Sequence, residues 1–145
     1  MRSRFASLGS GFLFVLCFVV GQAVSGMDPQ PEPWMADLNA AWQKAKATKR
    51  PLLLVALTDG CRYCEEMRRN TLHNREVLAE IRHSYVPAAV RAADRPSLIE
   101  KLQIRVFPTA VIISPNGRVL DTISGYMSPG EFRARLASLS GTSLR

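Results

Sequence analysis

The run Leu52-Leu53-Leu54-Val55-Ala56-Leu57 carries no polar residue that could face water on alternate positions. A short, uniformly apolar run of this kind is a strand buried on both faces, and it obliges the chain to supply covering elements above and below it. Thr58-Asp59-Gly60 closes the strand as a turn, and Cys61-Arg62-Tyr63-Cys64 opens a helical stretch. Two thiols are therefore held where a sheet ends and a helix begins. At this spacing they can close a disulfide with each other. The loop so closed contains only two residues, worth roughly 2 kcal/mol in chain entropy against nearly 5 for a long loop. A bridge this local is a poor staple, so its chemistry is the stronger reason for the pair.

A chain of 145 residues, 47% of them hydrophobic, supports one domain with its own core. Residues 1–25 differ from the rest: Arg2 and Arg4, then the apolar run Phe12 to Val20, then small residues around Ala23-Val24-Ser25. That is the layout of a secretory signal peptide, with an apolar centre too short to span a bilayer comfortably. Left uncleaved, it would tether the same domain to a membrane. Residues 26–33, with Pro29, Pro31 and Pro33, read as an extended leader, and 34–145 as the folded domain. The expected destination is outside the cytoplasm, periplasmic or extracellular.

Of the 19 Lys and Arg and 12 Asp and Glu, Arg2 and Arg4 belong to the signal segment, which leaves 17 against 12, a net charge of +5. The basic residues are scattered along predicted helices as solvated faces, so charge alone implies no nucleic acid partner. Cys17 also falls in the signal segment, which leaves two cysteines.

Trp34, Leu38, Ala41, Trp42 and Ala45 recur at helical spacing and predict an amphipathic helix ending near Thr48. After the buried strand, helical signal runs from Cys61 to about Thr71. Asn74 caps a further helix over Arg75 to His83, with Val77, Leu78 and Ile81 on one side. Tyr85 to Val90 is a second strand, in which Pro87 lacks an amide donor and marks a bulge or an unpaired edge. A short helix over Ser97 to Leu102 follows. Thr109 to Ser114 and Val119 to Ile123 form a hairpin around Pro115-Asn116-Gly117. Ser128-Pro129-Gly130-Glu131 is a capping box opening a last helix with Phe132, Leu136 and Leu139 inward. Strands separated by helices imply a parallel part and the hairpin an antiparallel part. The expected fold class is α/β, a mixed sheet of four to five strands with helices on both faces.

With these elements in place the chain resembles the thioredoxin superfamily over roughly Trp34 to Leu139. Cys61-Arg62-Tyr63-Cys64 at a strand-to-helix junction, Phe107-Pro108-Thr109 before a strand, and the closing hairpin, Gly125 and helix carry the resemblance. It is most similar to small exported thioredoxin-like proteins with a Lys-Pro-Leu-Leu type strand, here Lys49-Arg50-Pro51-Leu52-Leu53. The resemblance implies a thioredoxin-like fold, a cis peptide at Pro108 facing the cysteines, and thiol–disulfide exchange on protein thiols or disulfides. It implies no cofactor beyond the Cys61–Cys64 couple, an unidentified recycling partner, and a monomer. A helix N-terminus stabilises a thiolate, so Cys61 is the expected attacking sulfur and the more shielded Cys64 the resolving one. Phe107, Pro108 and Thr109, with Arg62 and Tyr63, are the expected substrate-binding residues. Arg62 adds a cation beside the thiolate and predicts a couple more oxidising than thioredoxin's.

The sequence departs from thioredoxin at named positions. Gly60 stands where thioredoxin has tryptophan, Arg62-Tyr63 replaces Gly-Pro, and Val55 replaces the buried acid six residues before the first cysteine. Asp59 reads as a turn residue and Glu65 as a helix-start charge. Two other readings of the residues stay open at this point. Cys61, Cys64, His73 and His83, joined by Met67 for copper(I), would be the ligands of a metal site, although their spacing matches no zinc-finger pattern. Alternatively the domain is a binding or chaperone module whose disulfide is incidental.

Overall fold

The computed structural model describes residues 33–140. The expected signal segment, and all of the expected leader except Pro33, lie outside the described residues. Strand β1, Leu52–Leu57, occupies an interior position in a four-stranded sheet of order β2-β1-β3-β4. Strand β2, Val86–Arg91, runs parallel to it; β3, Thr109–Ile113, runs antiparallel on its other side, and β4, Val119–Ser124, continues the sheet as a hairpin with β3. This is the mixed sheet the strand order predicts.

Alternation along β1 divides the core into two layers. Leu53 and Val55 point to one face, where they meet Ala110 and Ile112 of β3 and the helices α3, Arg75–Ser84, and α5, Pro129–Ser140. Leu52, Leu54 and Ala56 point to the other, against α1, Leu38–Thr48, and α4, Pro96–Lys101. All five of these β1 side chains are no more than 2% exposed. Each buried Leu or Val contributes roughly 1.5–3 kcal/mol, so the apolar run is the largest local source of the driving force for folding.

The predicted first helix is shorter than its apolar stripe. Asp37 is its N-cap, its Oδ1 accepting from the amides of Asn39 and Ala40 at 2.8 and 3.1 Å. An Asp at this position satisfies two of the amides that a helix start leaves unpaired, and it starts the helix only after Trp34. Trp34 therefore packs on the α3/α5 layer, whereas Trp42 packs on the α1/α4 layer. Helical spacing had placed both on one stripe; the cap separates them. Met35 instead bridges to Ala88, its amide donating to the Pro87 carbonyl and its carbonyl accepting from Ala89. Pro87 thus sits in an edge strand whose outer side is only locally paired. Its register with β1 is continuous, so Pro87 marks the edge and not a bulge. The irregularity lies in the hairpin, where Ile112 faces Asp121 and Ile113 faces Val119.

The helix after the cysteines also differs from a plain α-helix. It begins as α2, Arg62–Glu66, and widens into a π-helical segment over Met67–Leu72. A π turn aligns residues five apart. Met67, Thr71 and Leu72 can then all be buried, and Thr71 Oγ1 donates to the Met127 carbonyl at 2.7 Å, tying this segment to the loop before α5. The sequence pattern cannot show this, because it depends on a carbonyl 56 residues away.

Two long-range polar contacts close the α3 side. The Arg50 guanidinium donates from Nη2 to the carbonyls of Ile81, Arg82 and Tyr85, capping the C-terminus of α3. A cation there also meets the negative end of the helix dipole, and its partial burial lowers its pKa. Tyr85, 1% exposed, donates its hydroxyl to the Leu136 carbonyl of α5 at 2.6 Å, and burial pushes its phenol well above the ordinary tyrosine pKa.

Replacing Arg50 by Met keeps the apolar stem but leaves three carbonyls without their charged donor. The expected cost is about 2 kcal/mol, or roughly 8 °C in Tm, read by thermal unfolding followed by circular dichroism. Tyr85 gives a pH signature. Its folded pKa is raised, so the unfolded chain loses this proton first and stability falls as pH rises above about 10. In Tyr85→Phe the chain is less stable at neutral pH by about 1 kcal/mol, and its Tm falls less steeply between pH 9.5 and 11 than that of the unmodified protein.

Candidate active site

The interior strand delivers the cysteine pair. After Leu57 the chain turns through Thr58-Asp59-Gly60, and Gly60 adopts φ +67°, a left-handed conformation that L side chains occupy at a cost of about 1–2 kcal/mol. This explains the glycine where thioredoxin has tryptophan: the turn bends through a conformation suited to a residue without Cβ. Asp59 is a turn residue as expected. Its carboxylate also pairs with Arg91 at the end of β2, at 2.6 Å, which raises the arginine's pKa and links the turn to the neighbouring strand.

Cys61 is the N-cap of α2, and its Sγ accepts from the Cys64 amide at 3.1 Å. Cys61 and Cys64 are joined in a disulfide, with Cα atoms 5.2 Å apart. Cys64 is 3% exposed, whereas Cys61 is only partly covered. The pair is therefore asymmetric: Cys61 is only partly covered and its sulfur accepts a helix-start amide, whereas Cys64 is buried in the fold. Chemically, such a disulfide is open to attack by an external thiolate at Cys61.

The second wall of the site comes from the loop before β3. The Phe107–Pro108 peptide is cis, and the Phe107 carbonyl oxygen lies 3.7 Å from Cys61 Sγ. Pro108 is buried, and its carbonyl accepts from the Gly125 amide at 2.7 Å. Thr109 is 1% exposed and donates its hydroxyl to the Val106 carbonyl at 2.6 Å. It braces the loop; its hydroxyl is committed to the backbone. Arg62 and Tyr63 stand at the site but point outward. The Arg62 side chain is 85% exposed and reaches Glu66 at 3.5 Å, while Tyr63 is 59% exposed.

Two contributors escaped the sequence pattern. Among the described residues the large apolar side chains most exposed are Tyr63, Val106, Val119 and Tyr126. Three of these four belong to segments that build the site: Tyr63 stands between the cysteines, Val106 directly precedes the Phe107 whose carbonyl lies near Cys61, and Tyr126 follows the Gly125 whose amide binds the Pro108 carbonyl. Exposed residues in loops follow no period, so only their shared location marks them. A recess of about 560 Å³ adjoins the same loop, lined among others by Thr58, Arg105 and Phe107.

The helix-start charge Glu65 pairs with Arg68 at 2.7 Å, which lowers its carboxyl below the ordinary range. Val55 is fully buried, and the buried polar residues among those described are Thr71, Thr109 and Ser114. The position of thioredoxin's internal acid is thus occupied by core packing, with no carboxylate taking its place in the buried interior of the described residues. The alternative metal reading finds no geometry: no group of three or more His, Cys, Asp or Glu among the described residues could hold an ion. Cys61 and Cys64 bind each other, His73 Nδ1 lies 2.5 Å from the Arg68 carbonyl, and His83 is exposed on α3.

A search of curated protein sequences gives no match. Among solved structures the fold is similar to a thioredoxin from Thermus thermophilus, with a TM-score of 0.69 and 20% identity over 74% of this chain and 87% of that one. It is also similar to a DsbH oxidoreductase, at 0.66 and 17% over 74% and 83%. The reduced C-terminal domain of Neisseria meningitidis DsbD matches at 0.61 and 20% over 70% and 92%. Identities this low speak for the fold alone. The family model for thioredoxin-like domains matches residues 38–140, which take in the interior strand, the cysteine pair, the cis-proline loop and the closing helix; the chain belongs to the thioredoxin-like domain family.

Proposed function

We propose that the protein is an exported thiol–disulfide oxidoreductase acting on protein thiols or disulfides, in which Cys61 exchanges with the substrate and Cys64 resolves. The carrying observation is the asymmetry of the pair. Cys61 is only partly covered and its Sγ accepts a helix-start amide, whereas Cys64 is buried. The layout of residues 1–25 supports export.

In the oxidising direction a substrate thiolate attacks Cys61 Sγ. The Cys61–Cys64 bond breaks, a mixed disulfide forms, and Cys64 leaves as a thiolate and takes up a proton. A second substrate thiolate then attacks the substrate sulfur of the mixed disulfide and releases Cys61 as a thiolate. Two electrons pass from substrate to protein, and the one proton that Cys64 takes up comes from solvent. In the reducing direction the Cys61 thiolate attacks a substrate disulfide, and Cys64 displaces the reduced substrate from Cys61. The Cys64 amide and the helix N-terminus stabilise the Cys61 thiolate in both directions, which favours the reduced protein and makes the disulfide an oxidant. A recycling partner restores whichever form is consumed, and the domain works as a monomer.

The structure reduces the weight expected of Arg62. A side chain 85% exposed and shared with Glu66 is screened by solvent. The backbone amide and helix start therefore carry most of the thiolate stabilisation.

Cys64→Ser should trap polypeptides from the exported fraction as mixed disulfides on Cys61, while Cys61→Ser traps none and loses at least about a hundredfold in exchange rate. The readout is non-reducing electrophoresis with and without dithiothreitol. A blank trap from Cys64→Ser, or full function in Cys61→Ser, would instead favour the binding-module reading. The reduction potential, measured by equilibration with glutathione, should lie above the about −270 mV of thioredoxin. Arg62→Gln should lower it by only about 5–20 mV; a drop of more than about 60 mV would return the main role to Arg62.

A further inference from the structure

Resting on the reading of the site as an exchange centre, we infer that it selects polypeptides in which the reactive cysteine is flanked by an apolar residue and an acidic one, with Arg105 as the residue that reads the acid. The apolar part of the surface is Tyr63, Val106 and Tyr126, three exposed side chains on the segments that carry and face the partly covered Cys61. A polypeptide crossing Cys61 would cover them. The charge around this patch is not balanced. Asp59 is taken by Arg91 at 2.6 Å, Glu65 by Arg68 at 2.7 Å, and Glu66 by Arg62 at 3.5 Å. The acids nearest the cysteines in sequence are thus each already held by an arginine of the same chain.

Arg105, in the loop that leads to the cis proline, has no such partner among the described residues. It is exposed, and it immediately precedes Val106. It lines the recess that Phe107 shares, and Phe107 places its carbonyl 3.7 Å from Cys61 Sγ. Glu100 also lines that recess, without pairing to Arg105. An uncompensated guanidinium beside an apolar ledge attracts a carboxylate on the approaching chain and discourages an ammonium. Because the cation is solvated, the discrimination is modest and falls with added salt.

The test uses the full chain and three disulfide-bonded peptides identical except for one residue beside the reactive cysteine, which is Glu, Gln or Lys. Values of kcat/KM for exchange should rank Glu above Gln above Lys, with Glu about three- to tenfold above Gln at low ionic strength and the gap closing by about 0.5 M salt. Arg105→Glu should reverse the order of the Glu and Lys peptides, an outcome that a merely structural role for Arg105 would not produce. Rates equal within twofold for all three peptides on the unmodified protein would overturn the inference while leaving exchange chemistry intact. So would a Glu preference that survives Arg105→Glu unchanged. No exchange with any of the peptides would overturn the oxidoreductase reading, and this inference with it.

Discussion

A strand with no wet face organises this molecule. β1 lies between a parallel neighbour and an antiparallel one, and its alternate side chains fill two separate core layers. Because both faces are buried, a slip of one residue would exchange Leu53 and Val55 with Leu52 and Leu54 and disrupt both layers together. The register is therefore strongly specified. The position of Cys61, four residues past the end of the strand, inherits that precision. The site is accurate because the strand feeding it cannot shift.

The second half of the site is held less directly. The cis-proline loop meets the cysteines through the Phe107 carbonyl, is braced internally by Thr109, and is bound from behind by the Gly125 amide. The π-helical segment is joined to the loop before α5 by the Thr71 hydroxyl. Hydrogen bonds to backbone carbonyls, donated by the Gly125 amide and by the Thr109 and Thr71 hydroxyls, thus brace the ledge and the segments beside it. Side chains not used in this bracing, namely Tyr63, Val106 and Tyr126, are left to face outward. The result is a braced backbone frame with an apolar rim.

The chemical character of the pair follows from its surroundings. An amide at 3.1 Å from Cys61 Sγ favours negative charge there in every redox exchange. Val55, in place of an internal acid, leaves the core layer beneath the site apolar. Arg62, which the sequence offered as an added cation beside the thiolate, is placed by the helix so that solvent and Glu66 dilute its field.

Much of this was legible from the chain because the deciding forces are local. A uniformly apolar run, an Asn that caps α3, a proline-asparagine-glycine turn and a cysteine pair at a helix start each specify structure through residues within one turn of themselves. The element order and the mixed sheet could be read that way, whereas the place of Phe107-Pro108 beside Cys61 came from the resemblance to the thioredoxin superfamily. Other features depend on partners far away in sequence. Trp34 fell in the other layer because Asp37 starts the helix only after it, the widened helix after the cysteines is tied to Met127, and Arg50 capped a helix more than thirty residues on. Val106, Tyr126 and Arg105 have no periodic or motif signal at all. The sequence by itself determined which sulfur stands at the helix start; only the tertiary structure decided what surrounds it, because hydrogen bonds and exposed surfaces between distant segments come into being when the layers pack.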